Sequence, residues 1–198
     1  MNETKEREQL YLYGPEKTVS DDPTKFFRHM QRYMIAMIHA TALEKRDVYV
    51  DYGCGSGYGT ELISVYFDRS IGLDICPEAV EYAKRTHNRG GTTLFTNSVA
   101  FEGFKPDFIT CIEVLEHLGK TQAEHLIAQF GKILDPDGSL VITTPCPDPD
   151  GKPNPHHLHE YGPDDLYSLL SKHFREVEVE DISLGLLNVI AVCRGPKG

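Results

Sequence analysis

The chain predicts an α/β protein on a doubly wound, mostly parallel seven-stranded sheet, its last strand antiparallel in a C-terminal hairpin. Three observations carry that expectation. Short β-branched and aromatic runs alternate with helix-like stretches between residues 48 and 145, the rhythm of βαβ units. A turn with three glycines, Gly53-Cys54-Gly55-Ser56-Gly57, follows the first run and opens a helix. Near the C-terminus, Val177 and Val179 alternate with Glu176, Glu178 and Glu180, which reads as a half-exposed strand of an antiparallel hairpin. With 198 residues, the chain is long enough for one such domain with a full core, over 1–198.

Residues 1–22 are polar and read as a surface segment. From 23 to 45 the pattern is helical: Phe26, Phe27, Met30, Met34, Met37 and Ile38 recur at three- and four-residue spacing. This is a core-packing helix or, on a sharper reading, a lid over the site. Strands follow at 48–52, 70–75, 92–97, 107–114 and 138–145, with helices at 58–67, 77–88 and 120–134. Pro77 suits a first helical turn, and Asp135-Pro136-Asp137-Gly138 is a turn before the fifth strand. Residues 145–163 form a long Pro- and His-rich loop, a length that points to function or disorder. A helix at 163–173, a strand at 174–182, a turn at Ser183–Gly185 and a last strand at 187–193 complete the chain.

Composition narrows the class. The charged fraction of 25% and hydrophobic fraction of 40% are ordinary for a globular protein. A net charge of −10 without a basic cluster disfavours nucleic acid as a partner. The 5 cysteines are dispersed without a C-x-x-C pair, so they read as reduced thiols and predict a cytoplasmic location. Residues 1–9 are charged and lack an apolar core segment, and no run approaches a membrane span. No feature specifies an oligomeric state.

The chemistry gathers at strand ends, where doubly wound sheets bind ligands. The turn at 53–57 has no side-chain bulk, so a ligand can lie against bare backbone, and Asp51 sits at its mouth. The turn carries no Lys or Arg, which argues against a triphosphate and for a cationic, amino-bearing ligand such as S-adenosylmethionine. The spacing G-x-G-x-G after an Asp also differs from the G-x-G-x-x-G of nicotinamide folds. Asp74 ends the second strand, where a carboxylate can accept both ribose hydroxyls. Asn97 and Ser98 end the third and can meet an adenine amino group.

These elements resemble the class I S-adenosylmethionine-dependent methyltransferases, with a Rossmann-like fold, in order over roughly residues 46–195. The first motif resembles Asp51 to Gly57 and the second Gly72 to Ile75. The fourth-strand motif resembles Phe108 to Leu118 and the fifth Leu134 to Pro145. The resemblance implies S-adenosylmethionine as cofactor. Asp51 would hold the methionine ammonium, directly or through water. Gly53 and Gly55 would pass along the methionine moiety, Asp74 would bind ribose, Ile75 would pack on adenine, and Glu113 would end its strand under the cofactor. Cys54, Gly57 and Tyr58 complete the expected cofactor set with Asn97 and Ser98. The Asp that the family usually carries at position 97 is Asn here.

Methyl transfer to a hydroxyl needs a base as the new bond forms. His117 follows Glu113 and Glu116, and the loop Asn154-Pro155-His156-His157-Leu158-His159-Glu160-Tyr161 supplies more imidazoles. His117, His157 and His159 are the candidate catalytic residues, with Glu160 able to fix a tautomer. The Glu-Val-Leu-Glu-His run, the His-rich loop and Arg32-Tyr33 resemble methyltransferases of bacterial polysaccharide clusters, and the first of these also ubiquinone-type O-methyltransferases. That resemblance implies O-methylation of a small-molecule or saccharide hydroxyl without a metal. Small-RNA 2′-O-methyltransferases bind a divalent metal through a similar pattern, matched here by Glu113, Glu116, His117 and His157. The alternatives are therefore a metal-dependent RNA 2′-O-methyltransferase, or a non-catalytic S-adenosylmethionine-binding protein.

Overall fold

The computed structural model describes residues 23–87, 92–97, 105–147, 154–182 and 188–198. The chain forms two compact units, residues 1–102 and 103–198. Ser98, the 1–22 segment and the 183–185 turn lie outside the described residues.

The first unit begins with α1 (Pro23–Thr41), then β1 (Val48–Tyr52), α2 (Tyr58–Ser64), β2 (Arg69–Leu73), α3 (Pro77–His87) and β3 (Thr93–Thr96). β1 pairs with β2 and β2 with β3, all parallel. Val48, Tyr49, Val50 and Asp51 are all buried, as expected of a strand covered on both faces. α3 opens on Pro77 and closes on Lys84, Arg85 and His87, cations placed where the helix dipole favours them. α2 is shorter than its sequence pattern: after Ser64 the chain tightens into turns, with Tyr66 N–H donating to the Ile63 carbonyl and Phe67 N–H to that of Ser64.

α1 turns a different face inward than its apolar spacing predicts. Phe27, Met34 and Ile38 are 63%, 51% and 64% exposed. The buried face carries His29, Arg32, Tyr33, Ala36 and Ala40. His29 and Tyr33 on the inward face meet the Tyr58 hydroxyl at the start of α2 and the Asp51 carboxylate in β1, described below.

The second unit contains β4 (Phe108–Ile112), a 3-10 turn (Leu115–His117), α4 (Lys120–Ile133), β5 (Ser139–Pro145), α5 (Pro163–Leu170), β6 (Phe174–Asp181) and β7 (Asn188–Pro196). β4 and β5 are parallel, and β7 runs antiparallel to both β5 and β6. The seven strands follow the order β3-β2-β1-β4-β5-β7-β6. This is the mixed sheet expected from the sequence, parallel except for its C-terminal hairpin.

Local chemistry fixes the second unit's connections. Gln122 Oε1 accepts the Gly119 N–H at 3.1 Å and caps α4, which buries Ala123, Leu126, Ile127 and Phe130. In the turn before β5, Asp135 Oδ1 accepts the Asp137 N–H at 3.1 Å and the Asp135 carbonyl accepts the Gly138 N–H at 2.9 Å. The 5 cysteines are all free thiols. Among the described residues, no helix is long and apolar enough to cross a membrane.

Candidate active site

The turn after β1 is held by main-chain bonds. The Leu73 carbonyl accepts the N–H groups of Gly53 at 2.7 Å and Cys54 at 3.0 Å, so the end of β2 fixes the turn. Gly57 N–H donates to the Cys54 carbonyl at 3.0 Å, and the Gly57 carbonyl then accepts the Glu61 N–H to start α2. Gly53, Gly55 and Gly57 all have positive φ, at 80°, 52° and 89°.

Two of these glycines differ in what surrounds them. A Cβ on Gly57 would stand 2.7 Å from the Ala83 Cβ and 2.9 Å from the Phe95 ring. A Cβ on Gly55 would meet no atom within 4 Å. Gly57 is required by packing and conformation together. Gly55 is required by conformation alone and leaves bare backbone facing open space.

Asp74 lies beside that space. Its Oδ2 accepts the Gly55 N–H at 2.8 Å and its Oδ1 the Cys76 N–H at 2.9 Å. Burial pushes its carboxyl above the ordinary carboxylate range, and these two N–H donors oppose the shift. Each oxygen keeps lone-pair capacity for a hydroxyl. Ile75 next to it is 72% exposed, an apolar face at the strand end. Asn97, after β3, is exposed.

Other expected cofactor residues sit deeper. Asp51 is fully buried: Tyr33 O–H lies 3.2 Å from each of its oxygens, and Thr60 O–H donates to Oδ2 at 2.6 Å. The Cys54 side chain packs in a core cluster with Val80, Ala83 and Phe95, and burial pushes its thiol well up. Cys54 therefore offers the turn its backbone and keeps its sulfur in the core. Tyr58 is buried, and its hydroxyl pairs with His29 Nδ1.

The second unit gathers a different set of groups after β4. The strand ends at Ile112, shorter than its sequence pattern, because Glu113 takes φ 55°. It is the one non-glycine residue with positive φ among those described. Such a conformation costs about 1 kcal/mol or more and persists when its surroundings enforce it. Here Thr143 O–H donates to Glu113 Oε1 at 2.9 Å, and Asn188 Nδ2 lies 3.3 and 3.2 Å from the two oxygens. Thr143 and Asn188 had no sequence signal of their own, since they reach Glu113 from β5 and β7.

The loop after β5 is pinned to the 3-10 turn. The Glu116 carbonyl accepts the N–H of Leu158 at 2.7 Å and of His159 at 3.3 Å. His117 Nδ1 lies 3.0 Å from the His156 carbonyl, which accepts its N–H, and Nε2 lies 3.9 Å from Glu116 Oε1. His157 Nδ1 lies 2.6 Å from Glu160 Oε1, so this nitrogen donates to the carboxylate and the ring is held in place. The Asn154 amide nitrogen is 3.0 Å from His157 Nε2. The two rings meet edge to face, 5.5 Å between centroids. Glu116 is buried, and its Oε2 accepts from Thr144 O–H at 3.3 Å.

One ligand atom each from Glu116, His117 and His157 lies within 4.8 Å of the others. Glu113, the fourth residue of the expected metal set, is not in this group; its carboxylate is engaged by Thr143 and Asn188. His159 is also outside it and stacks edge-on against Tyr161 at 4.5 Å.

A glycine turn and a flanking acid thus lie at adjacent parallel strand ends, where α/β folds of this kind bind their ligands. The chain belongs to the methyltransferase-domain family, whose pattern matches residues 26–183. It is 29% identical over 172 residues to a probable S-adenosylmethionine-dependent methyltransferase of Mycobacterium tuberculosis, covering 81% of this chain and 60% of that protein. It is 29% identical over 105 residues to a ubiquinone biosynthesis O-methyltransferase of Actinobacillus pleuropneumoniae, covering 48% of this chain and 44% of that protein. The chain thus spans 60% or less of the length of these curated relatives. Among solved structures it is similar to the N-methyltransferase NodS of Bradyrhizobium japonicum bound to S-adenosyl-L-homocysteine. That likeness has a TM-score of 0.74 and 21% identity and covers 98% of each chain, a similarity of fold.

Proposed function

We propose that this chain is an S-adenosylmethionine-dependent methyltransferase acting on a hydroxyl of a small-molecule or saccharide acceptor. The observation that carries the cofactor is the bond from Gly55 N–H to Asp74 beside open space at Gly55. It sets an acid with spare lone pairs against bare backbone, a donor set that suits a ribose and the chain attached to it. Ile75 offers an apolar face for a base, and Asn97 with Ser98 offers polar groups for its amino substituent. Gly53, Gly55 and Gly57 give a path without side chains, and the buried charge of Asp51 favours a cation there. The relatives in Mycobacterium tuberculosis and Actinobacillus pleuropneumoniae support this reading through their names. When bound, the cofactor supplies an activated methyl group on a sulfonium.

The protein's own task is then to bind the acceptor and remove its proton. His157 is the stronger base candidate, because Glu160 orients its ring through Nδ1; an acceptor hydroxyl would take the place of the Asn154 amide at Nε2. His117, oriented by the His156 carbonyl, is the second. Glu113, fixed by Thr143 and Asn188, accepts hydrogen bonds at the end of β4. A cytoplasmic location accords with the free thiols.

The assay is methyl transfer to a panel of hydroxyl and amine acceptors, with the methylated atom read by mass spectrometry and NMR. An O-methylated saccharide or small phenol is the expected product; transfer only to amines overturns the hydroxyl assignment.

One observation favours a second reading. The Glu116, His117 and His157 ligand atoms can converge on one divalent ion, as one carboxylate and two imidazoles. Glu160 and the His156 carbonyl would then orient the imidazoles. On this reading the metal would assist O-methylation, including that of an RNA 2′-hydroxyl. Turnover abolished by EDTA and restored by Mg²⁺ or Mn²⁺ selects it; turnover unaffected by EDTA selects the base reading.

A further inference from the structure

Asp51 is 0% exposed, at the end of β1 where the glycine turn begins. A buried carboxylate is tolerated only when donors replace its water. Two of its donors come from helices. Thr60, in the first turns of α2, donates to Oδ2 at 2.6 Å. Tyr33, in the middle of α1, places its hydroxyl 3.2 Å from both Oδ1 and Oδ2. One carboxylate therefore ties the strand, the helix that follows the turn, and α1.

Packing fixes where the Tyr33 hydroxyl points. A Cβ at position 59 would lie 2.1, 2.3 and 2.4 Å from the Tyr33 Cζ, Cε1 and Cε2 atoms, so Gly59 lets this ring lie flat against the start of α2. The ring also meets Tyr58 at 5.9 Å and His29 at 5.5 Å between centroids. One helical turn before Tyr33, His29 pairs through Nδ1 with the Tyr58 hydroxyl. Burial holds the His29 imidazole neutral, with a pKa lowered to about 3, so its Nδ1 can accept a hydrogen bond from the Tyr58 hydroxyl. Burial and the Asp51 charge push the Tyr33 phenol well up, which keeps it a donor. α1 thus holds the two flanks of the glycine turn, Tyr58 through His29 and Asp51 through Tyr33.

We propose that Tyr33 is a positioning residue for the cofactor, its hydroxyl holding Asp51 so that docking of α1 and occupancy of the glycine turn are one coupled equilibrium. The inference rests on the cofactor reading above and adds a residue that does not itself touch the ligand. A helix that only covers the core would be indifferent to the ligand. A helix whose hydroxyl sets the acid at the mouth of the turn must respond to the ligand, by the same factor with which it affects ligand affinity.

The experiment pairs titration calorimetry with hydrogen exchange, using S-adenosylhomocysteine as the probe. With the full-length wild type, the probe is expected to bind and to slow amide exchange over residues 29–37 of α1. Tyr33→Phe keeps the ring and removes the hydroxyl. It is expected to weaken binding by about tenfold or more, to lose the slowing in α1, and to keep a wild-type circular dichroism spectrum. Thr60→Val removes a second donor and is expected to weaken binding in the same direction. Probe binding that leaves α1 exchange unchanged overturns the proposal, even if Tyr33→Phe fails to fold. So does a folded Tyr33→Phe that binds within about twofold of wild type. A wild type that binds no S-adenosylhomocysteine at all overturns the cofactor reading itself, a different failure.

Discussion

The turn after β1 and the loop after β5 are built in opposite ways. The first is made of backbone: main-chain bonds to Leu73, three glycines with positive φ, and one acid that accepts two N–H groups. The second is made of side chains: two imidazoles, each oriented by an acceptor on Nδ1, facing a buried Glu116. Backbone sites fail by losing their shape, with binding and stability falling together. Side-chain sites fail by losing chemistry, with the fold intact. The two regions should therefore separate cleanly when they are mutated.

The largest effect is expected at the loop. His157→Ala removes the imidazole paired with Glu160 and, on the proposed base role, should lower turnover by about 10²–10⁴-fold. Calorimetry should show S-adenosylhomocysteine affinity unchanged within about twofold. Equal loss of affinity and turnover would erase the distinction between the regions.

Gly57→Ala comes next, and here both properties should fall. The new Cβ meets Ala83 and Phe95, and the residue is forced into the left-handed region. Strain and overpacking together should cost about 2–4 kcal/mol in thermal or urea unfolding. Gly55→Ala carries the same conformational strain into open space and should cost about 1 kcal/mol. Equal losses at the two glycines would show that packing is not what separates them.

Asp74→Asn sharpens the comparison at smaller magnitude. The carboxyl is raised by burial, so its contribution to stability is present in acid and lost as pH rises through that raised value. At pH 7 the amide removes the cost of a buried charge but can accept only one of the two N–H groups. Unfolding stability should change by less than about 1 kcal/mol, with probe affinity falling about tenfold or more.

The smallest effect is a pH dependence. The His29 pKa falls from 6.5 to about 3 in the fold, so the unfolded chain binds a proton there that the native one does not. The stability this neutral imidazole contributes is present above about pH 6.5 and is lost as pH falls toward 3. His29→Gln should flatten the acid limb of the stability curve by at most about 1.4 kcal/mol per pH unit. An unchanged slope would contradict the buried, neutral assignment.

What was legible in the sequence follows the same division. Strand positions came within a residue or two, because continuous apolar runs such as Phe108–Ile112 have few other uses, except that β7 runs three residues past its expected end to Pro196. The glycine turn was visible because its determinants are adjacent in the chain. The His157–Glu160 pair was visible for the same reason. Glu113's positive φ was not, since Thr143 and Asn188 enforce it from other strands. The inward face of α1 was also hidden. Apolar spacing pointed to Phe27, Met34 and Ile38, but the face that is buried is chosen by Asp51 and Tyr58, which need Tyr33 and His29. Polar groups that satisfy one another across distant elements leave no periodic mark.

The most direct test of a nucleoside-cradling glycine turn is calorimetric titration of the wild-type chain with S-adenosylhomocysteine and, separately, with NADH. One-site binding of the former that Asp74→Asn weakens, with no heat from the latter, is the outcome this geometry requires. Binding of NADH instead, or an S-adenosylhomocysteine affinity indifferent to Asp74, would contradict it.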